Sequence, residues 1–149
     1  MLMDEALSLY QRLRLMHYHS LFGRIREKPG SLSATEAFSL DVIYILGKPT
    51  IKQFSDFLGI SQPNATYKIN SLISKGYINK VLSEDDRREY HLHIADRFYT
   101  YYDDKNSFLS DAVKRLESTH SSEDMALFEK ILHEMNEALN QEGDQNGYL

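Results

Sequence analysis

The stretch Ser61–Ile94, SQPNATYKINSLISKGYINKVLSEDDRREYHLHI, decides the fold of this chain of 149 residues. Its first part has the apolar spacing of one buried helix face, at Ala65, Ile69, Leu72 and Ile73. Ser61 is suited to cap that helix, Pro63 is tolerated in its first turn, and Gly76 can end it. We therefore predict a helix that begins after Ser61 and ends near Gly76.

The side of this predicted helix opposite the apolar stripe is polar but carries little charge. Asn and Gln side chains can bond bidentately to adenine, and Lys can reach guanine or a phosphate. A polar surface helix without a binding function is the alternative. We predict that the helix contacts DNA bases, with Ser61, Gln62, Pro63, Asn64, Tyr67, Lys68 and Ser71 as its candidate DNA-binding residues.

A second short helix is predicted immediately upstream, at Thr50–Leu58. It opens with a capping box, in which the Thr50 and Gln53 side chains each bond to the other residue's backbone. Gly59 and Ile60 then connect it to Ser61. Two short helices joined by a tight turn that contains glycine predict a helix-turn-helix.

Two segments of alternating character follow, at Tyr77–Leu82 and Tyr90–Ile94, and are predicted to pair as a hairpin. The loop between them, SEDDRRE, has Arg87 and Arg88 near its tip. An arginine at such a tip can enter a narrow, electronegative minor groove, and the acidic neighbours are expected to hold one in position by ion pairing. The alternative is an exposed turn whose charges largely cancel. Because the hairpin follows a helix-turn-helix, we predict a wing and hence a winged helix-turn-helix that binds double-stranded DNA.

The rest of the chain is predicted to be helical, so the fold class is mainly α with a small β-hairpin wing. The expected helices are residues 4–27, Ser33–Leu46, Asp96 to about Glu117, and Ser121 or Ser122 to about Gln141. The last of them carries a heptad-like apolar seam, at Met125, Phe128, Leu132, Met135 and Leu139. Such a seam can pack against the core of its own chain or against a partner chain. The final EGDQNGYL is predicted to be a frayed polar tail.

The net charge of −5 is not spread evenly along the chain. Residues 61–95 have five basic and four acidic residues, whereas residues 96–149 have five basic and twelve acidic residues. The acidity is therefore concentrated away from the predicted DNA-binding surface, and we expect modest non-specific DNA affinity. No apolar run reaches the roughly 18 residues needed to span a bilayer, and no signal-peptide core is present. We therefore expect a cytoplasmic protein without membrane contacts.

The chain resembles the MarR family of bacterial transcriptional regulators. The matching segments are LGISQPNATYKINSLISKGYI, with Thr66, Ile69, Leu72 and Gly76 on the family pattern, and DDRREYHLHI, with Asp86, Arg87 and Arg88 as its Asp-Arg-Arg signature. The chain departs from the pattern at Tyr67, where a basic residue is common, and at Ala95 and Phe98, which replace the usual Thr and Gly. Because Tyr67 replaces a residue that is commonly basic, the family pattern does not indicate the operator sequence of this chain. None of these departures affects the expected fold.

The resemblance implies a single domain over residues 1–149 that acts as a homodimer. Residues 1–30 and 96–142 would form the helical dimerisation region, and residues 33–95 the DNA-binding region. It also implies a pocket between these regions for a small aromatic effector, with Tyr18, Phe22, Tyr44 and Tyr102 as candidate lining residues. Simple core and interface packing of these aromatic residues is the alternative.

Other classes of site have little support in the sequence. The chain has no cysteine, which excludes disulfides and a thiol-based sensor. His17 with His19, and His91 with His93, have an HxH spacing, but no carboxylate accompanies them in a recognisable metal motif, so we predict no metal or other cofactor. We find no phosphate loop, nucleophile motif or metalloprotease helix, and therefore predict no catalytic residues.

These observations predict a sequence-specific transcriptional regulator, a homodimeric repressor of a pseudo-palindromic operator that a small ligand releases. Two alternatives stay open. One is a MarR-like dimer that has lost operator binding and acts through protein contacts or small-ligand binding. The other is a ligand-binding or metal-binding protein with no regulatory role.

Overall fold

The computed structural model describes residues 1–23, 25, 31–101 and 107–147, which lie in two compact units, Met1–Asp103 and Asp104–Leu149. The elements of the first unit are α1 (Leu2–Phe22), α2 (Ala34–Leu46), α3 (Ile51–Leu58), α4 (Gln62–Ser74), β1 (Ile78–Leu82), β2 (Tyr90–Ile94) and α5 (Asp96–Tyr101). Those of the second are α6 (Ser107–Thr119) and α7 (Ser122–Asn146). The mainly helical fold with a β-hairpin wing is confirmed. The organisation as one domain with a shared dimerisation region stays a prediction.

The helix starts agree with the capping signals in the sequence. The capping box predicted at Thr50 and Gln53 is present at α3, and Ser33 and Glu36 form another at α2. The Ser61 side chain accepts a hydrogen bond from the backbone N–H of Asn64 at the start of α4. Each cap satisfies an N–H group that has no partner within the helix, and this fixes the first residue of the helix.

The first helix ends earlier than predicted, at Phe22 instead of residue 27. Gly23, a poor helix former, follows it, and Ile25 makes an isolated bridge with Leu32. Leu32 is buried in the core, so tertiary packing of this segment prevails over the helical periodicity. Residues 24 and 26–30 lie outside the described part of the chain.

The last helix extends further than predicted. The expected frayed tail continues α7 to Asn146, and Gly147 follows in the left-handed conformation that commonly ends a helix. Extending an existing helix fixes one residue for each added hydrogen bond, so even this polar segment can continue it. The helix predicted from Asp96 to about Glu117 is described as α5 and α6. The intervening residues 102–106 lie outside the described residues.

The predicted hairpin is present, and its antiparallel register places Ile78 opposite Ile94 and Leu82 opposite Tyr90. An additional contact was not predicted from the sequence. The Pro49 carbonyl accepts a hydrogen bond of 2.8 Å from the Leu92 N–H, and Thr50 bridges His91. The segment that precedes α3 therefore pairs with β2 and ties the wing to the helix-turn-helix.

The core of the first unit lies where α4 packs on α2, α3 and β1. From α4 it contains Ala65, Ile69 and Leu72, which have no exposed surface. Phe54, Ile78, Leu92 and Phe98 are the larger side chains that surround them. Among the described residues, no helix combines the length and the apolarity that crossing a bilayer requires.

A polar cluster holds the C-terminal end of α4 against the start of α2. Glu36 accepts a hydrogen bond from the Ser71 hydroxyl through one carboxylate oxygen, and the Lys75 ammonium lies 2.6 Å from the other. The Lys75 ammonium also donates to the Ser31 carbonyl at 2.8 Å. Burial raises the pKa of Glu36, but the hydrogen bonds from Lys75, Ser71 and the Ser33 N–H outweigh it and lower the pKa to about 2 from the ordinary 4.5.

Glu36→Gln should lower the free energy of unfolding at pH 7 by about 1.5 to 3 kcal/mol, the range for hydrogen bonds to charged groups. The folded protein holds the pKa of Glu36 at about 2, below its ordinary 4.5, so ionised Glu36 stabilises the fold fully above pH 4.5. This contribution is lost as the pH falls towards 2. Urea unfolding of both proteins between pH 7 and pH 2 measures it, because the other carboxylates are common to the two proteins. A difference that stays constant down to pH 2 would contradict the assignment.

Candidate nucleic-acid interface

The N-terminal half of α4 presents a polar surface that is free of acidic residues. Gln62, Pro63, Asn64 and Tyr67 are all exposed, and Tyr67 is the most prominent at 79% exposure. The helix dipole adds a partial positive charge at the same end, which favours a negatively charged ligand such as a phosphate. This surface is defined here as the α4 polar surface and consists of Ser61, Gln62, Pro63, Asn64 and Tyr67.

The other two candidate residues on α4 differ from this group. Lys68 is half-buried and flanks the α4 polar surface. Ser71 is also half-buried, and its hydroxyl donates to Glu36 on α2. The hydroxyl that the sequence assigned to DNA therefore holds two helices together. Asn70, which was not among the candidate residues, is exposed one turn after Tyr67 and extends the polar side of α4.

The tip of the hairpin is ordered by backbone hydrogen bonds. The Asp86 carboxylate accepts from the Arg88 N–H at 2.9 Å, and the Ser83 hydroxyl accepts from the Asp86 N–H at 3.3 Å. A third hydrogen bond, of 2.9 Å from the Ser83 N–H to the Glu89 carbonyl, closes the base of the loop. Asp86 thus fixes the turn through the main chain, as Asp side chains commonly do in short loops.

Arg87 and Arg88 are both exposed at this tip. Within residues 1–23, 25, 31–101 and 107–147, neither guanidinium forms an ion pair with a carboxylate, so the expected ion pairing to the acidic neighbours is not found. Each exposed pair would contribute only about 0 to 1 kcal/mol while costing side-chain entropy. The two guanidinium groups are therefore available to a phosphate or a groove.

Three of the four candidate effector residues, Tyr18, Phe22 and Tyr44, lie within the described structure. Tyr18 accepts a hydrogen bond of 3.3 Å from Arg14 within α1, and Phe22 is 64% exposed at the end of that helix. Tyr44 packs its ring 5.0 Å from that of Phe98. Tyr102 lies outside the described residues. A pocket lined by all four residues stays a prediction.

His17 and His91 make polar contacts within the first unit. His17 Nε2 lies 3.2 Å from the buried Asp41 carboxylate, and His91 Nδ1 lies 2.8 Å from the Lys48 carbonyl, to which it donates. Burial lowers the pKa of His93, and the nearby Lys48 and His91 lower it further. Within the described residues, no group of three or more metal-ligating side chains is arranged to hold a metal ion.

Known proteins share parts of this sequence and fold. The model of the MarR family matches residues 32–90. The structure of Streptococcus pneumoniae FabT in complex with DNA is similar, at 27% identity and a TM-score of 0.56, and the match covers 93% of this chain and 96% of FabT. A search of curated proteins gave no match.

Two further solved structures share the fold at lower identity. A MarR transcriptional regulator from Methanosarcina mazei is 19% identical with a TM-score of 0.52, over 94% of this chain and 97% of its own. The transcriptional regulator Tm0710 from Thermotoga maritima is 16% identical with a TM-score of 0.56, over 96% of each chain. The matched family segment contains the predicted helix-turn-helix, β1 and the wing loop, and it ends at Tyr90, the first residue of β2. Residues 32–90 therefore match the MarR family, and the chain shares the winged-helix fold of MarR-family transcriptional regulators.

Proposed function

We propose that this protein is a homodimeric transcriptional repressor that binds a pseudo-palindromic operator. The observation that carries the proposal is the exposed, nearly uncharged α4 polar surface on a helix that packs against the strand leading to Arg87 and Arg88. An uncharged face of amides and an aromatic hydroxyl suits hydrogen bonding to base edges better than simple attraction to phosphates. The similarity to FabT, whose structure contains DNA, supports the same conclusion.

In this proposal α4 lies in the major groove. Gln62 and Asn64 have the donor and acceptor pair that matches adenine, and the Tyr67 ring can contact a thymine methyl group while its hydroxyl bonds to a base or phosphate. Arg87 enters the adjacent minor groove, where a guanidinium is attracted to the strong negative potential. Arg88 and Lys68 bind phosphates and position the helix.

The dimer is supported by an apolar face on α7 that the described chain leaves exposed. Six large apolar side chains on this face are each at least 43% exposed, namely Leu127, Phe128, Ile131, Leu132, Met135 and Leu139. A face of this kind on a helix of 25 residues usually marks a protein interface. A second copy would cover it, and a two-fold dimer would place two α4 helices on half-sites about 10 base pairs apart.

Repression requires only that the bound dimer occupies promoter DNA. A regulator that acts solely through protein contacts is the competing function, and the near-neutral charge of residues 61–95 favours it. A gel-shift titration at stated salt with the DNA upstream of the gene tests the proposal directly. Selective retention of that DNA supports it, and equal binding to an unrelated duplex would reject it.

Asn64→Ala and Tyr67→Ala should each weaken operator binding by about 1 to 3 kcal/mol and change the preferred base at one position of each half-site. Arg87→Ala should weaken binding and lower its dependence on salt, because a cation is removed from the groove. Affinities for a library of operator variants at two salt concentrations provide both readouts. Arg115→Ala is the control, since it removes an exposed arginine from α6 in the second unit. Wild-type affinity and preference in all three test variants would show that the α4 polar surface is not the DNA-binding surface.

Leu139→Asp should weaken self-association at least tenfold, since a buried leucine contributes about 1.5 to 3 kcal/mol and a carboxylate replaces it. Asn140→Asp adds the same charge one residue further along α7, on its polar side, and should leave the dimer intact. Sedimentation equilibrium at micromolar concentrations gives both association constants. A wild-type mass of one chain under these conditions would remove the dimer from the proposal.

A small aromatic effector is the last part of the proposal. Its support is Tyr44 on α2, which is 37% exposed and whose ring packs on Phe98 of α5, directly after the wing strand β2. A ligand that binds against Tyr44 would therefore affect the packing of α5, the helix that follows the wing. It can release DNA only if it binds the DNA-free shape more tightly than the bound shape.

A phenolic effector should bind operator-bound protein about 5- to 150-fold more weakly than free protein, the usual range of coupling between two sites. Tyr44→Ala should abolish ligand binding while leaving operator binding in place, and Tyr10→Ala is the matched control on an exposed tyrosine of α1. Calorimetric titrations of a panel of phenols with and without operator DNA measure the coupling. Equal affinities in both states would exclude the compound as an effector.

A further inference from the structure

The Glu36 cluster is an unusual feature of the first unit because it joins two helices through a half-buried carboxylate. It consists of Glu36 on α2, Ser71 and Lys75 at the end of α4, and Ser31 before α2. The Glu36 side chain is only 13% exposed and that of Lys75 only 25%. Neither group is placed to act as an ordinary solvated surface charge.

We propose that Glu36 is a positioning residue that sets the orientation of α4 and thereby the sequence discrimination of the protein, without contacting DNA. This inference rests on the proposed function of α4 as the helix that contacts bases. The apolar side of α4, with Ala65, Ile69 and Leu72, is held by hydrophobic burial, which is non-directional and leaves the helix some freedom to rotate about its axis. Two directed bonds to one carboxylate remove that freedom.

The geometry of the two bonds makes the carboxylate an effective clamp. Ser71 and Lys75 are four residues apart and lie one above the other on the same side of the helix. They bind the two different oxygens of Glu36, so one carboxylate holds the end of α4 at two points. Glu36 itself is held by the α2 capping box, in which the Ser33 N–H donates to its carboxylate at 2.8 Å. Glu36 thus connects the capped start of α2 to the C-terminal end of α4.

The cluster continues into α5. Arg97 donates a hydrogen bond to the Lys75 carbonyl, and its guanidinium lies 4.7 Å above the ring of the buried Tyr77. Lys75 is therefore fixed at its side chain by α2 and at its backbone by α5. The end of α4 is held from both sides, whereas its N-terminal half, with Asn64 and Tyr67, is exposed.

Positioning and simple electrostatics predict opposite results when Glu36 is removed. Loss of a negative charge from a DNA-binding protein should strengthen binding to every duplex, because phosphate attraction is sequence-independent. Loss of a positioning residue should weaken binding to the operator alone. The ratio of operator affinity to random-duplex affinity therefore separates the two effects.

The test compares Glu36→Ala with a matched control, Gln53→Ala. Gln53 occupies the same capping-box position on α3 and accepts from the Thr50 N–H at 2.9 Å. Both substitutions remove a cap, but only Glu36→Ala removes the link to α4. We expect Glu36→Ala to reduce the affinity ratio at least about tenfold, the equivalent of losing one hydrogen bond to a charged group. Gln53→Ala should leave the ratio within about twofold of wild type.

A double-mutant cycle tests whether Ser71 acts through Glu36 or by direct contact with DNA. If Ser71 acts through Glu36, the double variant Glu36→Ala with Ser71→Ala should bind no more weakly than Glu36→Ala alone. Additive losses would show that the Ser71 hydroxyl contacts DNA itself and would overturn the proposal. Ser71→Ala leaves the α2 cap in place, so it keeps the test informative if Glu36→Ala fails to fold.

A readout without DNA distinguishes failure of this inference from failure of the proposed function. Hydrogen exchange of the backbone amides of residues 69–75 should quicken in both Glu36→Ala and Ser71→Ala, at a temperature where thermal unfolding shows each variant folded. The same amides should be unchanged in Gln53→Ala. If the wild-type protein shows no preference for any duplex, the proposed function fails. The hydrogen-exchange rates of residues 69–75 still test whether Glu36 holds α4 in place. Unchanged exchange in residues 69–75 of Ser71→Ala, together with an unchanged affinity ratio, would overturn the clamp itself.

Discussion

Burial of the apolar side of α4 is the constraint on which the rest of the structure depends. Ala65, Ile69 and Leu72 are completely buried, and they fill the space between α2, α3 and β1. Because side chains three and four residues apart lie on one face of a helix, fixing these three side chains also fixes what faces solvent. Asn64 and Tyr67 lie off this face and are exposed for this reason.

Burial alone leaves the helix some freedom, and the polar contacts around it reduce that freedom. At its N-terminus Ser61 satisfies the Asn64 N–H, and at its C-terminal end Glu36 binds Ser71 and Lys75. Each is a local hydrogen bond with a modest net effect on stability. These hydrogen bonds are directional, so they limit the orientation of a helix whose apolar burial is non-directional.

The wing shows the same division between what is held and what is left free. Asp86 orders the loop by accepting a hydrogen bond from the Arg88 backbone, while the two guanidinium groups stay exposed. Pairing of Leu92 with Pro49 ties the hairpin to the turn before α3. A hydrogen-bonded loop that presents two exposed cations suits the phosphate contacts of the proposed function.

The sequence by itself determined the order of elements from α2 to β2, the caps of α2, α3 and α4, the hairpin and the polar character of α4. These features depend on contacts between residues close in the chain, where periodicity and capping chemistry are direct causes. Tertiary structure alone decided that Ile25 bridges Leu32, that Pro49 pairs with the wing and that Ser71 bonds to Glu36. The Ser71 and Glu36 side chains are 35 positions apart, and no local pattern indicates which distant partner a half-buried hydroxyl will find. Its position on the helical wheel suggested a DNA contact, and only the packing of α2 against α4 showed that the hydroxyl faces a carboxylate of the protein.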